Sequence, residues 1–362
     1  MTMTVWVFFF AFVLLMLALD LGVFHRKSHP VSVKEAMGWS VAWFVLSMLF
    51  AILVYFAYEG QWSGLGTVPD QVDGLANDGA SATGKYMTGY VLEKSLSVDN
   101  IFVIAMIFRF FSVPPVYQHR VLFLGILGAL ILRGVMIALG AKLVAEFHWV
   151  LYLFACFLIV TAIRMLFFLK AGHADPNRNE VVKLTRRLFP VTARFHGEHF
   201  IVRAGAPASR ESETPDAPVV RDEIVERAPP GTVLLTPLAL ALIMVETSDV
   251  VFAVDSIPAI FAITSDPFLV YTSNVFAMLG LRSLYFALAG IVDRFRYLKT
   301  ALALVLMVVG VKMLLADWLK IALGGHFNLL LLMLVLAILS AGIGLSLLTD
   351  RQKNRPQSQS RN

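Results

Sequence analysis

The stretch PLALALIMVETSDVVFAVDSIPAIFA, residues 237–262, contains no lysine or arginine and carries three carboxylates in an otherwise apolar run. A helix of this length covers the roughly 30 Å of hydrocarbon in a bilayer. Similar blocks recur along the 362 residues, of which 58% are hydrophobic and 15% charged. Soluble domains average about 25% charged residues. The pattern therefore predicts an all-α integral membrane protein.

Nine apolar blocks are predicted to be transmembrane helices. Their ranges are 3–24, 36–57, 84–108, 119–140, 148–169, 233–263, 268–291, 298–316 and 327–348. Loops rich in Lys and Arg alternate with loops poor in them, beginning with a basic loop after the first block. By the positive-inside rule this places the N-terminus outside and the C-terminus inside. Arg26 and Lys27 directly follow the first block, which predicts a retained span rather than a cleaved signal peptide.

The predicted domain organisation follows from these spans. It comprises spans one to five at 1–170, a cytoplasmic loop at 171–231, spans six to nine at 232–349 and a cytoplasmic tail at 350–362. The second half of the loop is rich in Pro, Ala and mixed charge, which predicts partial disorder. Its first half, VVKLTRRLFPVTARF from Val181, is expected to form a short amphipathic helix at the membrane surface.

Two three-helix units carry matching signatures, VLEKSLSVDNIFVI in span three and ETSDVVFAVDSIPAI in span six. Charged residues match in pairs: Glu93 with Asp249, Asp99 with Asp255, Arg133 with Arg282, and Arg164 with Lys312. Spans three and six are predicted to cross in opposite directions. The chain is therefore expected to contain two inverted repeats, at 84–170 and 233–316. Transporters built in this way bind substrate near the bilayer midplane, between the repeats.

The intramembrane carboxylates define the candidate site. An ionised side chain near the bilayer centre costs at least about 2.5–3.5 kcal/mol, so it normally faces a cavity or a partner. The predicted metal ligands are Glu93, Asp99, Asn100, Glu246, Asp249 and Asp255. Such oxygen ligands suit a hard divalent cation such as Mn, Mg or Ca. Pro258 is expected to distort span six and free a carbonyl beside Asp255.

Other polar residues of the spans are assigned supporting roles. They are Ser97, Ser256, Arg133, Arg282, Asp20 and Asn274. Asn274 is expected mainly to form hydrogen bonds between helices, and Arg164 and Lys312, near span ends, are expected to snorkel to the membrane surface. Two alternatives remain open. The acids neutralise the two arginines as buried ion pairs without a ligand, or they relay protons, alone or together with a cation.

Several function classes are disfavoured. The single cysteine, Cys156, allows neither an intrachain disulfide nor a thiolate cluster. No P-loop, nucleophile–base set or metal-binding histidine motif is present, so neither an enzyme nor a bound cofactor is expected. The basic residues lie in loops beside apolar blocks, which favours membrane orientation over nucleic-acid binding. The expected partners are a divalent cation and the lipid bilayer.

Three segments carry a resemblance to a known family: EKSLSVDN at Glu93, ETSDVVFAVDSIPAIFA at Glu246 and TSNVFAMLGLRSLYF at Thr272. They resemble the TerC family of integral membrane proteins, closest to its Alx branch. The resemblance runs from LDLGVF at Leu19 to KMLLAD at Lys312. It implies a protein of the bacterial inner membrane, in the LysE-like transporter superfamily, that exports Mn(II). The family's acidic residues fall on the six predicted ligands.

The resulting hypothesis is Mn(II) export through a midplane site with Asp99 and Asp255 as central ligands, and coupling to protons is part of that hypothesis. The alternatives are a calcium or other cation/proton antiporter, and a membrane scaffold in stress responses that acts through the 171–231 loop without transport.

Overall fold

The computed structural model describes residues 3–24, 32–167, 180–204, 223–288, 297–316, 318–319 and 327–353. This part is almost entirely helical. Its helices are α1 (Met3–Phe24), α2 (Val33–Glu59), α3 (Gly79–Phe110), α4 (Pro115–Glu146), α5 (Val150–Phe167), α6 (Glu180–Leu188), α7 (Glu223–Arg227), α8 (Pro237–Phe261), α9 (Pro267–Leu279), α10 (Leu281–Leu288), α11 (Leu298–Leu314) and α12 (Phe327–Lys353). Strands β1 (Ile201–Arg203) and β2 (Val233–Leu235) form an antiparallel pair in which Val202 faces Leu234.

Each of the nine predicted blocks contains helix. Within the described residues, five segments are long and apolar enough to cross a membrane: α2, α4, α5, α8 and residues 329–349 of α12. Helix α3 is long but carries charged side chains along its length, such as Lys85, Glu93 and Asp99. Helices α1 and α9 contain shorter apolar segments. The chain is therefore a multi-pass integral membrane protein.

One predicted span differs from the helix observed, and another contains a proline. Predicted span seven, 268–291, is interrupted: α9 ends at Leu279, Gly280 has φ −91° and ψ 6°, and α10 begins at Leu281. Span six remains helical to Phe261 with Pro258 inside the helix, so the proline does not end it. Pro258 has no backbone N–H to donate to the Val254 carbonyl, which is the free acceptor expected beside Asp255.

The 171–231 loop contains local structure. Helix α6 confirms the predicted short helix, and β1 pairs with β2 immediately before α8. The prediction of disorder falls on the second half of the loop, of which residues 205–222 lie outside the described residues and Glu223–Arg227 form helix α7. Helix α12 extends to Lys353 and so includes the start of the predicted tail.

The chain divides into two compact units. The first comprises residues 1–101, 130–171 and 252–362, and in it α11 packs against α5 and α12, and α2 against α9 and α10. An aromatic cluster joins α1, α2 and α9, with Phe9 5.9 Å from Phe50 and Phe50 4.4 Å from Phe276 between ring centroids. The second unit comprises residues 102–129 and 172–251, and it contains α6, α7 and the strand pair.

A buried lysine organises the segment between α2 and α3. Three oxygens surround the Lys85 ammonium: Asp70 Oδ2 at 2.8 Å, Asp73 Oδ2 at 2.7 Å and Asn77 Oδ1 at 2.6 Å. The Lys85 and Asp70 side chains have no exposed surface. Since an ammonium has three N–H donors, this arrangement satisfies all of them.

Asp70 also binds the segment between α8 and α9. It accepts hydrogen bonds from the Ser265 amide at 2.9 Å, the Ser265 hydroxyl at 2.8 Å and the Thr264 hydroxyl. Burial raises the pKa of Asp70, but the Lys85 charge and these hydrogen bonds outweigh it and lower the pKa from 3.8 to about 2. We call Asp70, Asp73, Asn77, Lys85, Thr264 and Ser265 the Asp70 cluster.

Asp70→Asn is expected to lower the free energy of unfolding by about 3 kcal/mol, because it leaves Lys85 with less compensating charge. In the folded native chain, Asp70 stays ionised down to a lower pH than in the unfolded chain. Ionised Asp70 therefore contributes about 2 kcal/mol to the free energy of unfolding above pH 4, and this contribution is lost as the pH falls from about 4 to 2. Thermal unfolding in detergent across this pH range measures both effects.

Glu146→Gln is the matched control, because its partner Lys142 is 74% exposed and the pair is 3.9 Å apart. Exposed pairs contribute about 0–1 kcal/mol. Equal unfolding temperatures for Asp70→Asn, Glu146→Gln and the native chain at neutral pH would contradict the structural role given to Asp70.

Candidate functional site in the membrane helices

The predicted site residues lie on several helices. Glu93, Ser97, Asp99 and Asn100 lie on α3, Arg133 on α4, Glu246, Asp249, Asp255 and Ser256 on α8, Asn274 on α9 and Arg282 on α10. Asp20 lies in α1, but its side chain is outside the described part. On α3 the predicted shared face is confirmed, because Glu93, Ser97 and Asn100 are 0%, 1% and 5% exposed.

A buried ion pair forms the centre of this region. Arg133 donates a hydrogen bond to Glu93 Oε1, and both side chains are at most 1% exposed. Arg133 Nη1 also lies 3.4 Å from Ser256 Oγ and 3.5 Å from Asn274 Oδ1. One guanidinium thus contacts residues of α3, α8 and α9. Glu93 is therefore neutralised by an arginine in a buried ion pair, as one of the open alternatives expected. Asn274 makes the hydrogen bond between helices that was expected of it.

Two buried amide side chains, one of them in contact with Arg133, retain unused hydrogen-bonding atoms. Asn100 Oδ1 and Asn274 Nδ2 are buried and have no hydrogen-bond partner among the described residues. An unsatisfied buried polar group costs about 1–3 kcal/mol, so such atoms commonly contact water or a ligand. Asn100 Oδ1 is an oxygen of the kind that binds hard cations. Its position supports the inclusion of Asn100 among the predicted ligands.

Asp99 and Asp255 have different immediate partners. Asp99 lies 3.3 Å from Lys299 Nζ of α11, with 20% of its side chain and 43% of the lysine exposed. Asp255 accepts a hydrogen bond of 3.4 Å from Thr161 of α5 and is partly exposed. Neither carboxylate lies in a fully buried ion pair, and the structure gives each a separate polar contact.

Glu246 and Asp249 lie one turn apart on α8, as their spacing predicts. The Glu246 carboxylate packs directly against α4 at Gly128, where an added Cβ would lie 2.0 Å from Glu246 Oε1. Glu246 Oε2 has no hydrogen-bond partner among the described residues. Asp249 is 8% exposed and has polar contacts. Gly128 therefore provides the space for a membrane carboxylate, a role that the sequence pattern did not reveal.

The described residues contain no group of three or more His, Cys, Asp or Glu placed to hold one metal ion. The six predicted ligands are thus not gathered around a single point in this part of the chain. This agrees with the i, i+6 spacing of Glu93–Asp99 and Asp249–Asp255, which separates each pair by about 120° on a helix. The metal site remains a prediction.

Lys94 is a functional candidate that sequence reasoning missed. It follows Glu93 on α3 and donates a hydrogen bond of 3.1 Å to the Ala277 carbonyl in the last turn of α9. The helix is interrupted between α9 and α10 directly after this turn. An added Cβ at Gly280 would lie 3.0 Å from Lys94 Nζ. The last four carbonyls of a helix lack intrahelical donors. The sequence feature that could have identified this residue is the presence of a lysine in the middle of predicted span three.

Lys312 corrects a prediction. It was expected to snorkel, yet it is 4% exposed and donates a hydrogen bond of 2.8 Å to the Ala262 carbonyl. The physical reason is that α8 ends at Phe261, so carbonyls at its C-terminus are open to a buried cation. Arg164 is exposed, which agrees with the prediction for that residue. Arg282 is 7% exposed and has polar contacts.

The fold and the site define a multi-pass integral membrane protein with buried carboxylates, amides and basic residues in its helices. The chain belongs to the TerC family, because the model for "Integral membrane protein TerC family" matches residues 78–354.

Three relatives extend the match over most of the chain. An uncharacterized membrane protein of Myxococcus xanthus, STKORF319, is 46% identical over 315 residues, which are 87% of this chain and 84% of that protein. A Salmonella typhi protein provisionally described as the membrane-bound redox modulator Alx is 41% identical over 92% of this chain and 94% of its own. The protein of the same description in Escherichia coli strain K12 is 39% identical over the same shares. No solved structure matches significantly.

Gly128→Ala is expected to lower the free energy of unfolding by about 1–3 kcal/mol, because the new methyl group overlaps the Glu246 carboxylate. Gly38→Ala in α2 is the matched control, since nothing lies within 4 Å of its added Cβ. In a helix interior that change should be neutral or stabilise by up to about 1 kcal/mol. Chemical unfolding in detergent compares the two, and equal effects would contradict the close packing of Glu246 on Gly128.

A double-mutant cycle tests the buried pair. Arg133→Met alone should cost about 3–5 kcal/mol of unfolding free energy, because it leaves the Glu93 carboxylate buried without its main counter-charge. Arg133→Met combined with Glu93→Gln should cost less than the sum of the single changes, with a coupling energy of about 0.5–3 kcal/mol. Additive effects in the cycle would show that the two side chains do not interact.

Proposed function

We propose that this TerC-family chain is a divalent-cation transporter that exports Mn(II) from the cytoplasm. The observation that carries the proposal is the surplus of carboxylates in its membrane helices. Glu93 is neutralised by Arg133, whereas Glu246 and Asn100 retain buried oxygens without hydrogen-bond partners in the described part. Asp99 and Asp255 are partly exposed. Charged groups held in this way inside a membrane protein commonly mark an ion pathway.

The proposed architecture has nine spans, with the N-terminus outside and the C-terminus inside, and two inverted three-helix repeats like those of the LysE superfamily. Two observations support the arrangement as repeats. Arg133, in the first proposed repeat, contacts Ser256 and Asn274, in the second. The break at Gly280 falls at the centre of predicted span seven. Discontinuous helices near the midplane, at a repeat interface, are typical of transporter binding sites.

In the proposed mechanism Asp99 and Asp255 are the principal carboxylates that receive the cation. Lys299 and Thr161 are their present partners and would be displaced or shared as the ion binds. Glu246, Asp249 and Asn100 provide further oxygens along the path, or accept protons as the metal leaves. Glu93 holds Arg133 in place and orients the helices around the site. Entry of protons is the proposed driving force, since carboxylates can exchange protons for a cation.

The donor set supports a hard cation. All proposed contacts are carboxylate, amide or hydroxyl oxygens, which suit Mn, Mg and Ca better than soft metals. The choice of Mn(II) among these rests on the resemblance to manganese-exporting members of the TerC family. Calcium transport, or another cation/proton antiport, is the nearest alternative because it would use the same oxygens.

A different class of function is suggested by the description of the Alx relatives as redox modulators. This chain has one cysteine, Cys156, so thiol–disulfide exchange within the chain would lack a second thiol. A stress-response scaffold that acts through residues 171–231 without transport is the other alternative. We favour transport over a scaffold or an enzyme because the buried carboxylates have a direct use in it. We place the protein in the bacterial inner membrane.

Asp99→Asn and Asp255→Asn are each expected to lower the rate of Mn(II) export at least tenfold, because each removes the charge of a principal carboxylate. Export is measured as cellular manganese during manganese stress in a strain without its own exporters, at equal membrane abundance of each variant. Asp78→Asn is the control, since Asp78 caps α3 through a 2.7 Å hydrogen bond to the Ser81 amide and lies outside the proposed path.

The purified chain in liposomes separates the alternatives. Mn(II) uptake that Ca(II) and Mg(II) inhibit only weakly would support the proposal. Faster uptake of Ca(II) than of Mn(II) would show that the protein is a calcium transporter instead. Absence of transport for every cation, with native protein correctly inserted, would contradict transport. Loss of function on deleting 205–222, with the carboxylates intact, would support the scaffold.

A further inference from the structure

Helix α6 and the residue after it expose apolar side chains. Leu184 is 56% exposed, Leu188 65% and Phe189 47%. Val182 and Thr185, on another side of the helix, are buried. Leu184 and Leu188 are four residues apart and therefore adjacent on the helix surface. Helix α6 thus buries one face within its own compact unit and leaves a strip of leucines uncovered by the described residues.

Two basic side chains border this strip, and a third lies on the opposite side of the helix. Lys183, Arg186 and Arg187 are all exposed, and residues 181–189, VVKLTRRLF, contain no acidic residue. At 100° per residue Arg186 is the one that faces away from the leucines. On the helix surface Lys183 and Arg187 lie one turn apart beside Leu184. An apolar strip next to a cluster of Lys and Arg is typical of helices that lie in the headgroup region of a membrane with acidic lipids.

Two sets of contacts attach the segment after α6 to candidate membrane spans. After α6, the Thr192 amide donates to the Leu235 carbonyl at 2.8 Å and the Leu235 amide donates to the Pro190 carbonyl at 3.0 Å. Leu235 lies two residues before α8, a candidate span. The backbone that follows α6 is therefore fixed at the level where α8 begins.

The second set of contacts involves the start of α4, another candidate span. Arg120, in its second turn, donates to the Glu198 carbonyl at 3.1 Å and lies 2.8 Å from Glu198 Oε2. Tyr117 contacts Phe195, with ring centroids 6.3 Å apart. The segment between α6 and β1 is thus attached to the ends of two candidate spans in the same unit.

We propose that α6 is an interfacial helix that binds acidic phospholipids. Leu184 and Leu188 enter the boundary between headgroups and acyl chains, and Lys183 and Arg187, which border the strip, contact the lipid phosphates. The bilayer is the occupant because the segment that follows α6 is attached to the ends of spans that enter it, and the exposed cations of α6 select lipids with net negative charge. This surface is separate from the carboxylates of the proposed transport path, so the inference does not depend on that proposal.

The full-length chain offers a direct reporter. Cys156→Ser removes its single thiol, and Leu184→Cys then accepts the environment-sensitive fluorophore NBD at one position. The labelled protein is placed in nanodiscs of phosphatidylcholine alone and of phosphatidylcholine mixed with phosphatidylglycerol. We expect NBD emission at shorter wavelength, and stronger quenching by lipids that carry a spin label, in the nanodiscs with phosphatidylglycerol.

Lys183→Gln combined with Arg186→Gln and Arg187→Gln should abolish the dependence on phosphatidylglycerol. Each basic residue near an acidic surface changes the affinity about fivefold, so the three together correspond to roughly a hundredfold. Arg186→Lys combined with Arg187→Lys is the matched control, because it keeps the charge and should keep the response. High salt should reverse the phosphatidylglycerol-dependent shift in the native charge background, which tests the same attraction even if the triple variant folds poorly.

NBD emission characteristic of water in both nanodiscs would overturn the proposal. A short-wavelength emission that is equal in both nanodiscs, insensitive to salt and unchanged in the triple variant would overturn the selection of acidic lipids.

Discussion

The burial of ionised groups between apolar helices is the constraint on which the rest of the structure depends. The Arg133–Glu93 pair has at most 1% exposed surface, and desolvating each ion costs several kcal/mol. Helices α3 and α4 must therefore pack so that the two charges meet. The same guanidinium nitrogen, Nη1, also contacts the side-chain oxygens of Ser256 on α8 and Asn274 on α9. One buried charge in this way specifies the relative placement of four helix segments.

Buried lysines extend the same principle to the helix ends. Lys94 and Lys312 bind the carbonyls of Ala277 and Ala262, near the C-termini of α9 and α8. These carbonyls lack intrahelical donors and carry the negative end of the helix dipole. Lys85 instead collects side-chain oxygens from the segment between α2 and α3. The segment between α8 and α9 is consequently held by Lys312 on one side and by Asp70 on the other.

The remaining carboxylates are what connects this architecture to ion transport. Structural pairing accounts for Glu93, but Asp99, Glu246 and Asp255 are held by weaker or partial contacts. A cation that leaves water needs oxygens that can exchange partners, which a fully satisfied buried pair cannot provide. Separate carboxylate positions also suit transport, because a site that binds too tightly at one point cannot release its ion. In the proposal for α6, this helix adds a second contact with the bilayer, at its surface rather than across it.

The sequence by itself determined the class of protein and which residues form the candidate site. Apolar blocks of span length predicted the helical segments, and acids inside them identified Glu93, Asp99 and Asp255, because charge within hydrocarbon is rare without a function. Tertiary structure alone decided which charges pair. Glu93 with Arg133, Lys312 with Ala262, the break at Gly280 and the space at Gly128 depend on contacts between helices distant in sequence. Helical periodicity specifies which face a side chain occupies, but not which neighbour meets that face.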